Sequence, residues 1–412
     1  MTKNLHLEGL RGLAALWVFG SHFLMWESFS PNGKLINAYF TTLLASFTPG
    51  HLGVLYFFIL SGYVMGKAYP WDKDLLVFQF LLKRWVRIWP MYAIAIGFSC
   101  LVSPSHFWQV VGHLVFLNPD LVPPIQGNPV LWSISYEFWF YLFLPIIFAI
   151  PLFRSNKAIP ILIISILISI IQYTYMQDAL IQMIFRWFGG LSFWLLGLVI
   201  AWKTIIHEEI NSTVDNKKLW SGLLMSMAFS PCTAAFLFML KSARLPVEIL
   251  GATSPSIGDF IYLPMILTVF FCLIKIKLSE WLNRIIFYLS LILLMSIILF
   301  SLANGKFWII PSYPAVLFIV LIAMISKYNR IDWALDSLAP IGAISYGIYI
   351  FHVPTMILIG KIPSFSGGWI EWFVRAIVSI VATLAIAYMV EIRLQPKLKD
   401  FFISKISKPV SL

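Results

Sequence analysis

The stretch LEGLRGLAALWVFGSHF, residues 7–23, decides the class of this protein. It approaches the roughly 20 apolar residues that an α-helix needs to cross the hydrocarbon core of a bilayer. It also contains Glu8, Arg11 and His22. Ionisable side chains inside a membrane helix are costly, and each one is a functional-site hypothesis by default. The stretch therefore predicts a membrane helix that takes part in the protein's chemistry.

The composition of the whole chain supports a membrane protein. Of the 412 residues, 60% are hydrophobic and only 11% are charged, whereas soluble domains have about 45–50% apolar and about 25% charged residues. This composition excludes a soluble globular enzyme, a disordered chain and a secreted disulfide scaffold. The three cysteines lie in apolar runs without metal-type spacing, so the sequence predicts neither a disulfide framework nor a metal site.

Apolar segments recur along the chain at lengths that suit membrane spans. We predict an all-α, polytopic transmembrane helix bundle of about 10–12 spans. The lower number applies if the short or interrupted segments only dip into the membrane. The candidate spans are 9–26, 50–67, 88–103, 131–151, 158–175, 184–202, 219–240, 259–275, 285–302, 308–326, 340–359 and 370–391.

Lysine and arginine are distributed unevenly between the two sides of these spans. With a cytoplasmic N-terminus, most of the 29 basic residues fall on the cytoplasmic side, as the positive-inside rule requires. Both termini are therefore predicted to be cytoplasmic, and the net charge of +11 needs no nucleic-acid partner. The basic residues assigned to the other side are Lys34, Arg186, Lys241, Arg244, Lys306, Lys361 and Arg375.

No hydrophilic stretch is long enough for a soluble domain. We expect one integral membrane domain over residues 1–400 and a basic cytoplasmic tail over residues 401–412. The first span lacks a convincing cleavage site, so we expect a retained helix rather than a signal peptide. These features suggest a bacterial cytoplasmic (inner) membrane, with the chemistry inside the bundle or at its mouths.

Arg11 and His22 share one face of the first helix. They are eleven residues apart, which is about 20° past three full turns and about 16 Å along the axis. An anionic group held at Arg11 could extend a thin arm to His22, with Glu8 near the cytoplasmic end. The alternative is an arginine that reaches the interface and a histidine that bonds a neighbouring helix.

Arg84 and Arg87 lie at the cytoplasmic entry of the third span, three residues apart and on one helix face. Guanidinium groups suit phosphate oxygens. The alternative is positive-inside anchoring among interfacial tryptophans.

Glu137 lies in WSISYEFWFY, residues 132–141, on a helix that enters from the outside. Its predicted depth is close to that of His22. A histidine and a carboxylate at one depth suggest an oriented general base. The alternative is a carboxyl that is protonated or paired for structural reasons.

A late helix carries Ser345, Tyr349 and His352 at the spacing i, i+4, i+7, which is one helix face. This face is either a polar seam between helices or part of a substrate path, and we expect His352 to be structural rather than catalytic. The candidate path residues are Ser61, Ser133, Tyr136, Ser345, Tyr349 and His352.

Five segments, in this order, resemble the acyltransferase 3 family of integral membrane acyltransferases. Together they span almost the whole chain, and the middle, about residues 155–335, contributes little. The segments are LEGLRGLAALWVFGSHF (7–23), GVLYFFILSGYVM (53–65), KRWVRIWPMY (83–92), LWSISYEFWFYLFLP (131–145) and ISYGIYIFH (344–352).

The resemblance implies transfer of an acyl group, usually acetyl, to a hydroxyl of an exported or lipid- or polymer-linked carbohydrate. The implied donor is cytoplasmic acetyl-CoA, a co-substrate rather than a permanently bound cofactor. Arg11 and His22 would match the family's essential arginine and histidine. Arg84 and Arg87 would match its basic motif near the donor, and Glu137 its acidic residue.

These roles give a chemical hypothesis with alternatives. The arginines would bind the donor's phosphates, His22 would deprotonate the acceptor hydroxyl, and Glu137 would orient the imidazole. A path through an acyl-His22 intermediate stays open, and Ser61 is expected to be a hinge or pocket wall. The acyl group would pass directly to the acceptor or to a separate extracytoplasmic enzyme. The competing functions are a proton-coupled transporter or flippase of a glycan or lipid intermediate, and a non-catalytic scaffold.

Overall fold

A computed structural model gives the architecture of the chain. Every regular element that it describes is a helix, which confirms the all-α prediction. The residues described are 4–25, 47–150, 158–174, 187–206, 214–242, 257–276, 279–303, 331–365 and 368–406.

The helices are numbered in chain order. A π-helical turn, Met389–Leu394, joins the last two, and short 3₁₀ turns lie at Pro129–Leu131, Ile257–Tyr262 and Pro363–Phe365. The α-helices are α1 (Leu5–Met25), α2 (Gly50–Ala68), α3 (Val77–Val102), α4 (Phe107–Leu114), α5 (Trp132–Ala149), α6 (Ala158–Thr174), α7 (Phe188–Ile206), α8 (Asn216–Ser242), α9 (Leu263–Leu273), α10 (Glu280–Ala303), α11 (Ile331–Ser337), α12 (Ala339–Gly342), α13 (Ser345–Gly360), α14 (Trp369–Tyr388) and α15 (Gln395–Ile406).

Several of these helices can cross a bilayer, so the chain is a multi-pass membrane protein. The count of 10–12 spans and the cytoplasmic termini stay predictions. The candidate span 308–326 and tail residues 407–412 lie outside the described residues. Within the described ranges, the helices that are long and apolar enough to span a membrane are Gly50–Ala68, Val77–Val102, Pro129–Ala149 and Ile370–Phe402, and the shorter apolar ones are Ile159–Ile170, Phe188–Thr204, Asp259–Leu273 and Ser345–Gly360.

Helix α2 lies at the centre of the bundle, packed against α1 on one side and α7 on another. Glycines let the backbones of α2 and α7 touch. A Cβ added to Gly62 would lie 1.8 Å from the carbonyl oxygen of Trp194, and one added to Gly197 would lie 2.1 Å from that of Ile59. Small residues commonly allow such close approach between membrane helices. The position of α2 is therefore closely fixed.

The N-terminal end of α1 is fixed in the same way against α11 and α12. A Cβ on Gly9 would lie 1.9 Å from the carbonyl oxygen of Leu335, and one on Gly342 would lie 1.9 Å from that of Glu8. Only glycine leaves room for these contacts. They hold the first turns of α1, and with them Arg11, against the start of α13.

Helix α13 packs on α1, α3 and α14. Pro354 lies inside this helix, and a proline leaves the carbonyl four residues earlier without its usual helical donor. The Asn128 side-chain amide donates to that carbonyl, at Ile350, over 2.8 Å. The loop before α5 is thereby attached to the middle of α13.

Helix α14 presents one apolar face outward and a polar face inward. The exposed side chains recur at helical spacing, as expected of a surface in contact with lipid tails. They are Ile370, Phe373, Val374, Ile377, Ile380 and Val381, while Arg375, Ser379 and Thr383 are buried.

Candidate active site

A cavity of about 340 Å³ lies among α1, α2, α3, α5, α12, α13 and the π-helical turn. This volume falls in the range of about 300–1,000 Å³ that is typical of small-molecule sites. Residues from all four of the polar clusters found in the sequence reach it. Its polar lining residues are Glu8, Arg11, Ser61, Arg87, Ser133, Glu137, Tyr141, Ser345, Tyr346, Tyr349 and Glu391.

One end of the cavity carries charged groups of both signs. Arg11 donates to the Glu8 carboxylate over 3.0 Å, one helical turn away. Arg87 of α3 lines the same end, together with Glu391. Glu391 accepts a hydrogen bond from the backbone N–H of Gly347 over 2.8 Å. Two guanidinium groups therefore face one space, and the Glu8 carboxylate holds that of Arg11 in place.

A hydrogen-bonded group between α2 and α5 forms the wall beside these charges. Ser61 donates to Glu137 Oε1 over 2.7 Å, and Tyr141 donates to the same oxygen. The hydroxyls of Ser61 and Tyr141 are 3.0 Å apart. Trp194 of α7 donates to Ser61 Oγ over 3.3 Å. Ser61 therefore lies in the cavity wall with three side-chain neighbours, Glu137, Tyr141 and Trp194. The helix α2 is continuous at this position.

Hydroxyl groups line the cavity further along α13. Ser133 donates to the Tyr349 hydroxyl over 2.7 Å, and that hydroxyl donates to the carbonyl of Val130 over 3.2 Å. Ser345 lies one turn before Tyr349 and also lines the cavity. Tyr136 is not among the lining residues; it donates to Asp120 over 3.1 Å. Of the six candidate path residues, four line the cavity.

His22 and His352 form a pair just beyond this cavity rather than in its lining. Nε2 of His352 lies 3.0 Å from Nδ1 of His22. The His352 ring is fully buried, whereas His22 is partly exposed. The Tyr349 ring lines the cavity and lies 6.0 Å, between ring centroids, from that of His352. Tyr349 therefore contacts both the cavity and the histidine pair.

The predicted pairing of Glu137 with His22 needs correction. The carboxylate of Glu137 faces α2 and accepts from Ser61 and Tyr141, whereas His22 faces α13 and meets His352. Residue counting estimates how deep a side chain lies along its helix. It does not fix the rotation of two helices that are far apart in sequence, and here the rotations turn the side chains toward different neighbours.

Arg84 is positioned differently from Arg87. Its guanidinium carbon lies 5.6–5.9 Å from the ring centres of Tyr69, Phe80 and Tyr141. It is not among the residues that line the cavity. Arginine commonly stacks on aromatic faces in this way. Arg84 supports Tyr141, and through it the Glu137 wall, from behind.

Sequence reasoning did not identify Glu391 or the partnership of the two histidines. Glu391 had a usable signal, since it is an acid within the long apolar helix Ile370–Phe402 and such residues are functional-site hypotheses by default. His352 was expected to be structural. Its contact with His22 joins residues 330 positions apart, and no local pattern could reveal it.

Comparisons with known proteins identify the family of this chain. The family model Acyl_transf_3, described as an acyltransferase domain, matches residues 4–279 and 273–392. The ORF330 protein of Acidianus two-tailed virus is 24% identical over 326 residues, which are 77% of each chain. The acyltransferase MdmB of Streptomyces mycarofaciens is 34% identical over 154 residues, 34% of this chain and 38% of MdmB.

A further relative is the O-acetyltransferase OatA of Staphylococcus aureus, 24% identical over 378 residues. The match covers 83% of this chain and 51% of OatA, so the chain spans about half of that protein's length. No solved structure matches the chain. The family model covers nearly all of the sequence, which confirms the resemblance found in the motifs: this chain belongs to the acyltransferase 3 family.

Proposed function

We propose that the protein is a membrane-embedded O-acyltransferase that moves an acyl group, most simply acetyl, from cytoplasmic acyl-CoA to a hydroxyl of an exported or lipid- or polymer-linked carbohydrate. One observation carries the proposal. A single cavity has two arginines at one end and, at its other end, a tyrosine that contacts a pair of histidines. Anion recognition and a proton acceptor are thus connected along one path.

The charged end suits the phosphates of the donor. Arg11 and Arg87 offer several N–H donors into the cavity, and arginine forks match phosphate oxygens well. Glu8 holds Arg11 in place when no donor is bound. Acyl-CoA would act as a co-substrate that enters and leaves on this side. Arg84 would support the wall behind this end without touching the phosphates.

The remainder of the donor would extend along α1 toward the histidine pair. Eleven residues separate Arg11 from His22, and at 1.5 Å per residue they span about 16 Å. The side chains of Ser133, Ser345 and Tyr349 line part of this path. In this proposal the Tyr349 ring moves aside so that the thioester reaches His22.

His22 would then act as the general base. Its unprotonated nitrogen takes the proton of the acceptor hydroxyl while the oxygen bonds to the thioester carbon. The carbon–sulfur bond breaks, and the departing thiolate takes the proton back from the imidazolium. The alternative order, in which His22 first carries the acyl group, uses the same groups.

The carbohydrate acceptor rests on the family and on the name of one relative. OatA is an O-acetyltransferase, and hydroxyl acceptors suit a histidine base. We place the protein in a bacterial cytoplasmic membrane, with the donor site facing inward. The acceptor would arrive from the outer side, directly or through a separate extracytoplasmic enzyme.

The test compares wild-type protein with His22→Ala in nanodiscs, at equal folded yield. Acetyl-CoA binding is measured by calorimetry, and CoA release is measured with a pool of glycan acceptors. We expect unchanged binding and a loss of turnover of about 10²–10⁴-fold, the usual contribution of general-base catalysis. His106→Gln, at an exposed histidine outside the cavity, is the matched control and should leave turnover unchanged.

Two results would contradict the proposal. If folded wild-type protein does not bind acetyl-CoA, the donor site is wrong. The carboxylates and histidines would then favour the proton-coupled transporter or flippase. If His22→Ala keeps full turnover, the histidine is not the base.

A further inference from the structure

We propose that His352 is a positioning residue that accepts a hydrogen bond from His22 and thereby holds it in the tautomer whose Nε2 is the basic nitrogen. This inference rests on the proposed acyl transfer and deepens it. It gives a role to a fully buried histidine that the reaction scheme above does not use.

The backbone around His352 fixes where its proton lies. Nδ1 of His352 lies 2.7 Å from the carbonyl oxygen of Tyr349 and 3.1 Å from that of Ile348. Carbonyl oxygens only accept hydrogen bonds, so this nitrogen must carry the proton. A second proton would place a charge on a ring that is fully buried, and such burial is costly. Nε2 of His352 is therefore an acceptor.

The tautomer of His22 follows from that of its partner. The contact between the two rings joins Nε2 of His352 to Nδ1 of His22 over 3.0 Å. Since the His352 nitrogen accepts, the His22 nitrogen must donate. In a neutral imidazole only one nitrogen carries hydrogen, so Nε2 of His22 holds the lone pair.

The exposure of the two rings separates their roles. His22 is partly exposed and can meet an acceptor, whereas His352 is buried beneath it and acts only through His22. When Nε2 of His22 takes the hydroxyl proton, its Nδ1–H keeps donating to Nε2 of His352, so the His22 ring keeps its orientation. The reaction balances as before, because the departing thiolate recovers the proton from Nε2 of His22.

Nitrogen-15 NMR of histidine-labelled protein in nanodiscs tests the tautomer directly. The His22 signals are assigned by their loss in His22→Ala. We expect a protonated Nδ1 and an unprotonated Nε2 in His22 of the resting protein. In His352→Asn, which removes the acceptor that faces His22, we expect this preference to weaken. A resting His22 protonated at Nε2 would overturn the proposal.

Kinetics of two amide variants provide the second test. The His352→Gln amide oxygen can replace Nε2 and accept from His22, whereas the shorter His352→Asn amide replaces only Nδ1. We expect His352→Gln to keep turnover within a few-fold. His352→Asn should lower kcat by at least about tenfold, as part of the 10²–10⁴-fold that a general base supplies, with an unchanged KM for acetyl-CoA. Equal losses in both variants, with the His22 tautomer unchanged, would show a purely structural role.

The two readouts separate this inference from the proposed function. The NMR experiment reports the His22 tautomer in the resting protein, whether or not the protein transfers an acyl group. If wild-type protein transfers no acyl group although His22 shows the expected tautomer, the acyl-transfer proposal fails and the hydrogen bonding of the pair stands. If turnover depends on His22 and the tautomer is the other one, the positioning role fails and the acyl-transfer proposal stands.

Discussion

The two ends of α1 each carry a basic residue, and their surroundings are opposite. At the N-terminal end, Arg11 is paired with Glu8 and faces a cavity with further charges. At the other end, His22 lies against the buried ring of His352 with Phe19 nearby. One end carries charged groups that line the cavity, and the other carries a pair of histidines outside the cavity lining.

This difference indicates a division of labour along a single helix. Charged groups that bind a ligand can stay partly exposed, as Arg11 does beside the Glu8 carboxylate. A base needs an unprotonated nitrogen with a fixed direction, which a buried neutral partner supplies. The separation of about 16 Å follows from the helical rise. Variants that change one end alone can therefore test whether the two ends have separate roles.

The largest effect is expected from Gly9→Ala, which disturbs the charged end. The new Cβ would lie 1.9 Å from the backbone carbonyl oxygen of Leu335, so α1 must move away from α11. Overpacking typically costs 1–3 kcal/mol, and a clash with backbone this close should cost about 3 kcal/mol or more. Thermal unfolding in detergent measures the loss.

The matched control for that variant is Gly97→Ala in α3. Nothing lies within 4 Å of a Cβ added there. Alanine is also the better helix former by about 0.5–1 kcal/mol, so the melting temperature should stay the same or rise slightly. Equal destabilisation by both variants would show that the close packing of α1 on α11 is not the cause.

The next effect concerns recognition at the charged end. We expect Arg11→Gln and Arg87→Gln each to remove a charged hydrogen bond worth about 1.5–3 kcal/mol, which raises the KM for acetyl-CoA about ten- to a hundredfold. The kcat should change little, because His22 is untouched. Lys83→Gln alters an exposed residue of the same basic segment that does not line the cavity, and it should leave KM unchanged. A fall in kcat at constant KM would contradict the comparison, because it would show that these arginines act in the chemical step rather than in donor binding.

The smallest effect is expected for Ser61→Ala in the cavity wall. Tyr141 still donates to Glu137 in this variant, so we expect a loss of about 0.5–1.5 kcal/mol and a turnover within about tenfold of wild type. Tyr136→Phe, on the same helix as Glu137 and bonded to Asp120, provides the control outside the cavity. A nucleophilic Ser61 would instead lose nearly all turnover in the alanine variant.

The sequence was sufficient for much of the charged end. The helical spacing of Glu8 and Arg11 predicted a shared face, and their side chains are in contact. Ser345 and Tyr349 were predicted to share one face of α13, which was either a polar seam between helices or part of a substrate path. Both side chains line the cavity. Which residues share a face of one helix depends only on their spacing, so the sequence alone predicts it.

The contacts between distant helices were not predictable in this way. Glu137 was expected beside His22, but it faces Ser61. The partner of His22 is His352, on another helix. Which faces meet depends on helix rotation, and that rotation is set by backbone contacts such as those of Gly62 and Gly342. A glycine in a sequence permits a close contact between helices, but it identifies neither the contact nor the partner.

The position of Tyr349 matters for ion leakage across the membrane as well as for the reaction. Its hydroxyl is held between Ser133 and Val130, and its ring lies between the lining of the cavity and His352. A continuous aqueous path through a multi-pass protein would let protons flow down their gradient and dissipate the membrane potential. In the proposed function, the Tyr349 ring would close this path between transfers, so that an acyl group crosses while ions stay on their own side.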